Sequence, residues 1–185
     1  DTLTVKIYLF FCFFGLFACG NNSVLPKNFE DAEIAEKNAK TMRSLIESRE
    51  GDLQKIGEHL QVMHWLAVQA SQDFIADSRR ILLNSEYSKQ ITAIQTLIKS
   101  EKYNKLPPLD INAVGYTKNL SFKLQPDMPS LTIELNGLDS KRPFGFEPEE
   151  NSAQTFAPNI NTLRGARVSV EHVERAMESL LYENM

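Results

Sequence analysis

Through the first part of the chain, apolar positions recur at alternating spacings of three and four: Ala32, Ala35, Ala39, Met42, Ile46, Arg49, Leu53, Ile56, Leu60, Met63, Ala67, Ala70 and Phe74. This is a heptad seam, the pattern of a helix with one apolar stripe, and only Arg49 interrupts its polarity. Asn28 or Asp31 is a suitable cap for its start. The stretch Ser48-Arg49-Glu50-Gly51-Asp52 could turn the chain, because glycine costs about 1 kcal/mol inside a helix and a following aspartate can cap a new one. Yet the seam keeps its phase across this stretch, which favours one long, kinked helix over a tight hairpin. Unbroken, residues 32 to 74 span roughly 65 Å at about 1.5 Å per residue.

A second helical stretch is expected from Asp77 or Ser85 to Tyr103, with Ile81, Leu82, Ile91, Ile94, Leu97 and Ile98 apolar, Asn84-Ser85 as a separator and Pro107-Pro108 as its end. The period then changes to two. Leu120, Phe122 and Leu124 alternate with polar residues, as do Leu131, Ile133 and Leu135, and Pro126-Asp127-Met128-Pro129-Ser130 lies between them. This predicts a β-hairpin over about 118–136 with a five-residue loop, supported by the helices or by a third strand at Ile111 to Tyr116. A long loop follows over about 137–165, and an amphipathic helix from about Ser169 places Val170, Val173, Ala176, Met177, Leu180 and Leu181 on one face. The expected class is mainly α with a small β-hairpin (α+β): a long helix and helical hairpin, a two-stranded antiparallel element and a C-terminal helix.

Ahead of this body stands "KIYLFFCFFGLFACGNNS", residues 6 to 23. A bilayer-spanning helix needs about 20 apolar residues. The run from Ile7 to Ala18 is shorter, and with Lys6 before it and small residues after it, it matches a secretory signal. A buried strand is the structural alternative. Leu16-Phe17-Ala18-Cys19, followed by Gly20-Asn21-Asn22-Ser23, resembles the lipobox of bacterial lipoproteins. That resemblance implies a signal peptide at 1–18, diacylglyceryl transfer to the Cys19 sulfur with cleavage before it, a lipidated polar tether at 19–27, and one helical domain over 28–185. Gly20 after the cysteine implies delivery to the outer membrane of a two-membrane bacterium. Ordinary cleavage after Ala18 is the rival outcome. The layout begins most naturally at Val5, which is the expected start.

The remaining composition narrows the function. Cys12 and Cys19 are the only cysteines, so the body after the signal has no internal disulfide, no cysteine-based zinc site and no thiol nucleophile. Loss of residues 1 to 18 removes one acid, Asp1, and one base, Lys6, leaving the net charge at -4. A weakly acidic body argues against nucleic-acid binding, which needs phosphate-neutralising cations.

Candidate chemistry is sparse. His59 and His64 are five residues apart, roughly 140° around a helix, and helical metal pairs need separations of three or four. His172 stands between Glu171 and Glu174, an arrangement any exposed helix can offer. There is neither a Gly-x-Ser-x-Gly elbow nor a phosphate-binding glycine loop, and no metal or cofactor is expected. Phe144-Gly145-Phe146 stands out in the long loop. Its two aromatics either anchor a partner or pin the loop to its own core.

The expected function is that of a membrane-anchored, exported, non-enzymatic lipoprotein that binds protein or assists envelope assembly. Its partners would be membrane lipid through acylated Cys19 and another protein. A second copy is an open alternative, because so long a seam can bury itself within one chain or between two. The competing expectation is an exported hydrolase or small-ligand carrier using His59, His64 or His172.

Overall fold

The computed structural model describes residues 29–100, 109–124, 127–146 and 159–183. The expected signal peptide, Cys19, the expected tether and Pro107-Pro108 lie outside the described residues. Within them the chain forms α1 (Phe29–Ala70), α2 (Asp77–Ile98), β1 (Asn119–Phe122), β2 (Leu131–Glu134), a 3-10 turn (Pro143–Gly145) and α3 (Leu163–Glu183). The architecture is therefore mainly α with a two-stranded antiparallel sheet.

Helix α1 runs for 42 residues without interruption, about 63 Å at 1.5 Å per residue. Gly51 does not break it. A methyl group there would meet nothing within 4 Å, so the glycine is tolerated on an open side of the helix. The seam is buried from Arg49 through Leu53, Ile56, Leu60, Met63, Ala67 and Ala70. Phe74 departs from it: the helix ends at Ala70, and Phe74 is 83% exposed in the connection that follows.

Both shorter helices run antiparallel to α1. His59 lies beside Gln90 of α2, and Arg80 lies beside Ala70. Glu174 of α3 lies beside His64, and Leu180 sits over Gly57. Extending these registers by sequence places the end of α2, Ile98, beside about residue 51 and the end of α3, Glu183, beside about residue 54. The three-helix body thus covers only the second half of α1. Its core unites Leu53, Ile56, Leu60, Met63, Tyr87, Ile91, Ile94, Ile98, Val173 and Leu180 with Leu109, Leu138, Phe146 and Ile160 from the connecting segments.

Helix α2 starts at Asp77 and is not divided at Asn84-Ser85. Its inner face also differs from expectation, for Arg80, Leu83, Asn84 and Tyr87 are buried while Ile81 and Leu82 are each 60% exposed. Polar groups occupy the inner positions because they terminate neighbouring elements. Arg80 donates from Nε to the Ala70 carbonyl at 2.8 Å and from Nη2 to the Gln72 carbonyl at 2.9 Å, while Nη1 meets Asp77 Oδ1 at 2.7 Å. These bonds satisfy carbonyls left open at the end of α1 and compensate the burial of the guanidinium. Asn84 Oδ1 accepts the buried N–H of Ile160 at 3.0 Å and so fixes the approach to α3.

Helix α3 begins at Leu163, ahead of the expected Ser169. Thr162 caps it, accepting the Gly165 N–H on its hydroxyl at 3.1 Å and the Ala166 N–H on its carbonyl at 2.8 Å. A side chain at Gly165 would collide with the Asn159 carbonyl, so this close approach requires glycine. Val173, Ala176 and Leu180 face the core as expected, whereas Leu181 is 66% exposed.

The hairpin pairs Leu120 with Ile133 and Phe122 with Leu131. Its strands stop at Phe122 and restart at Leu131, so the connection covers 123–130 and is longer than the five expected residues. The expected third strand is absent: residues 111–115 turn, and Asp110 makes an isolated parallel bridge to Leu138. The flanks of the hairpin lie along the first half of α1. Asn38 Nδ2 donates to the Lys123 carbonyl at 3.0 Å, and the buried Arg49 donates to the Asn136 carbonyl.

Candidate functional site

Phe144 and Phe146 sit in and just after the 3-10 turn. Phe144 has φ 53° and Gly145 φ 81°, a pair of left-handed residues that reverses the backbone sharply enough to send Phe146 inward. Phe146 is fully buried. It stacks edge-on against Tyr87, with centroids 6.2 Å apart, and against His172 at 4.5 Å. Of the two roles expected for these aromatics, Phe146 takes the one that pins the loop, and it offers no surface to a partner. Phe144 is half-buried against the same core. His172 completes the pin by donating from Nε2 to the Phe144 carbonyl at 2.7 Å. Burial raises the Tyr87 hydroxyl well above its ordinary value, an effect that the nearby Ser169 side chain only partly offsets.

The other histidines do not join this cluster. His59 Nδ1 lies 2.7 Å from Gln90 Oε1 on α2, and His64 Nε2 lies 3.1 Å from Glu174 Oε1 on α3. Residues 172 and 174 point to nearly opposite sides of α3, since two residues turn a helix by about 200°. The three imidazoles therefore serve three separate contacts. Among the described residues, no group of three or more His, Cys, Asp or Glu side chains is placed to hold a metal ion.

Asp139 belongs to a polar knot beside the Asp110–Leu138 bridge. Partial burial pushes its carboxyl up, but hydrogen bonds from the Asn112 side chain and from the Lys141 and Arg142 N–H groups, with the Arg142 charge, outweigh this and hold it below its ordinary value. This knot shapes a turn. A shallow depression on α1 lined by Glu33, Glu36, Lys37, Lys40, Thr41 and Ser44 is a charged, solvated face in which Lys40 pairs with Glu36.

One surface remains that the apolar seam did not reveal. Opposite the buried stripe of α1, Gln54, Glu58, Gln61, Trp65 and Val68 are all exposed and recur at spacings of four and three. Trp65, the single tryptophan of the chain, is 57% exposed at the middle of this outer face. Its signal lay in the chain as a second, polar heptad in phase opposite to the first, with glutamines where apolar residues would have marked it.

With this geometry in hand, comparison with known proteins bears on the fold. No protein-family model matches the chain, and no curated protein matches it. Among solved structures it is similar to one described as the crystal structure of Bacillus cereus flagellin, with a TM-score of 0.62 and 19% identity over 89% of this chain and 84% of that one. The chain has a flagellin-like fold. At this identity the likeness concerns backbone architecture alone. No helix among the described residues is long and apolar enough to cross a membrane.

Proposed function

We propose that the protein is an exported lipoprotein, anchored through acylated Cys19 in the cell envelope at the outer membrane, whose helical body binds another protein without catalysing a reaction. The observation that carries this reading is the division of labour among its side chains. The three histidines, His59, His64 and His172, each make a separate contact within the chain and do not converge, while Trp65 is held outward on α1. An exposed aromatic on a preorganised scaffold is the usual anchor of a protein interface. The lipobox and the polar stretch 19–27 supply attachment and reach, and confinement at a membrane raises effective concentration near a co-resident partner. The fold likeness is compatible with this reading and specifies neither activity nor location.

The intact mass of the protein from native membranes, with and without Cys19→Ala, tests the anchor. A species beginning at residue 19 and carrying acyl chains, abolished by the substitution, is expected. Crosslinking in those membranes then tests binding, and a defined protein adduct is expected. An unlipidated soluble species that turns over esters, peptides or glycans, and loses this when the three histidines are changed, would replace this reading with an enzymatic one.

A further inference from the structure

The segment that leaves the hairpin carries the single Asn-Gly pair of the chain, Asn136-Gly137. Residues 135–137 belong to no helix or strand, and Asn136 is exposed. An asparagine carboxamide can be attacked by the main-chain nitrogen of the next residue, which closes a small ring, and glycine leaves that nitrogen unshielded because it has no Cβ. Among the described residues, neither the Asn136 carboxamide nor the Gly137 N–H has a hydrogen-bond partner, so no protein group holds either back. A side chain at 137 would hinder the attack, but there is no room for one. Its Cβ would lie 2.6 Å from Ile111 Cγ2 and 2.7 Å from the Tyr116 hydroxyl oxygen, and that hydroxyl is fixed by donating to the Leu135 carbonyl at 2.7 Å. The packing of this bend therefore maintains the reactive pair. The other described asparagines lack the combination: Asn38 and Asn84 lie in helices, Asn112 donates to Asp139 Oδ1 at 2.7 Å, and each of the rest precedes a residue with a side chain.

Arg49 supplies the electrostatics. Its buried guanidinium donates to the Asn136 carbonyl oxygen, which belongs to the same peptide as the Gly137 nitrogen. When the Gly137 N–H gives its proton to hydroxide, the negative charge spreads onto that oxygen, and a cation bonded there stabilises it. We propose that Asn136 is a site of spontaneous deamidation in the folded protein, promoted by Arg49. The Gly137 nitrogen forms a bond to Asn136 Cγ, the bond from Cγ to Nδ2 breaks, and Nδ2 leaves as ammonia after taking a proton from water. The resulting succinimide is opened by a second water. Attack at the main-chain carbonyl, the one polarised by Arg49, breaks its bond to the Gly137 nitrogen and gives isoaspartate, whose free carboxylate forms where the guanidinium already sits. Attack at Cγ gives ordinary aspartate. Water is the only co-reactant, and nothing is oxidised or reduced.

Isoaspartate routes the main chain through the former side chain, adding a methylene between β2 and the Asp110–Leu138 bridge. It also exchanges a neutral carbonyl for a carboxylate beside Arg49, so the tie between the hairpin's flank and α1 becomes an ion pair. The modification therefore acts on the contact that positions the hairpin, and it is independent of the lipoprotein reading above.

The purified protein is incubated at mildly alkaline pH, and peptides covering residue 136 are followed by mass spectrometry with electron-transfer fragmentation, which separates isoaspartate from aspartate. The mass gain of amide-to-acid conversion should appear at Asn136 before any other described asparagine and faster as pH rises. Hydroxylamine, which attacks the succinimide, should cleave the chain between 136 and 137. The same chain in urea supplies the unfolded rate, which the folded rate should equal or exceed. Arg49→Gln should slow the conversion by roughly tenfold and lower the share of isoaspartate, while Arg49→Lys, which restores the charge, should recover most of the rate. Circular dichroism checks the fold of both variants.

An intact Asn136 after other described asparagines have converted, or conversion in urea alone, would overturn the proposal. A folded Arg49→Gln variant that converts as fast as the native chain would overturn the role given to Arg49. If that variant loses its fold, the comparison of the native chain with and without urea decides: a folded rate below the unfolded one rejects promotion by the structure.

Discussion

Between Arg49 and Ala70, α1 buries Arg49, Asp52, Leu53, Ile56, Leu60, Met63, Leu66, Ala67 and Ala70, whereas between Glu30 and Ser48 it buries only Met42 and Leu45. Both halves follow the same heptad pattern and form one helix. What differs is the company each keeps. The second half lies between α2 and α3, which end beside about residues 51 and 54 by their registers, while the first half meets the hairpin's flank through Asn38 and the Lys123 carbonyl. Periodicity therefore determines which side of a helix can be buried, and the lengths of its neighbours determine how much of that side is buried. The alanines of the first half, Ala32, Ala35 and Ala39, also have little side chain to remove from water, so less stabilisation is at stake there.

Substitutions should divide along the same line. Phe146→Ala is expected to have the largest effect, about 3–5 kcal/mol of lost stability, because it empties the fully buried space between Tyr87 and His172 that ties the loop to the second half. Urea denaturation measures this, and Phe144→Ala, at a half-buried position, should cost clearly less. Next comes Leu60→Ala, at about 2–5 kcal/mol. The matching change in the first half, Ile34→Ala, should cost under about 1 kcal/mol, since Ile34 is only half-buried. Equal losses at the two positions would break the comparison. Asn84→Ala should cost about 1–3 kcal/mol by leaving the Ile160 N–H buried without its acceptor.

The smallest expected effect has the opposite sign. Gly51→Ala, near the border between the halves, should stabilise the protein by up to about 1 kcal/mol, because an added methyl finds open space on a continuous helix. A thermal melt shifted downward would mean that the backbone turns or strains there. Gly165→Ala serves as its counterpart. It should destabilise, because the Asn159 carbonyl occupies the space its methyl would need.

Much of this arrangement was legible in the chain. The seam from Leu53 to Ala70 announced the long helix because its inner positions are apolar without exception, and the alternation at Leu120, Phe122 and Ile133 announced the hairpin. The reading failed where inner positions are polar for a structural reason. Arg80 and Asn84 face inward to terminate α1 and to hold Ile160, and this turns Ile81 and Leu82 outward although they look like core residues. The start of α3 was hidden because Arg164, Gly165 and Arg167 obscure the pattern and only Thr162 marks the cap. The outer face of α1 was hidden more deeply, because Gln54, Glu58 and Gln61 carry no apolar signal and only Trp65 and Val68 mark it.

The central claim is that the three-helix body packs the second half of α1 and leaves most of the first half uncovered. Amide hydrogen exchange along α1, resolved to individual peptides, tests it most directly. The account predicts protection close to that of global unfolding for residues 53–70, much faster exchange for residues 30–47, and a change of slope near Gly51 within one continuous helix. Uniform protection over the whole of α1 would contradict it, because the first half would then have a covering that the three-helix body does not provide.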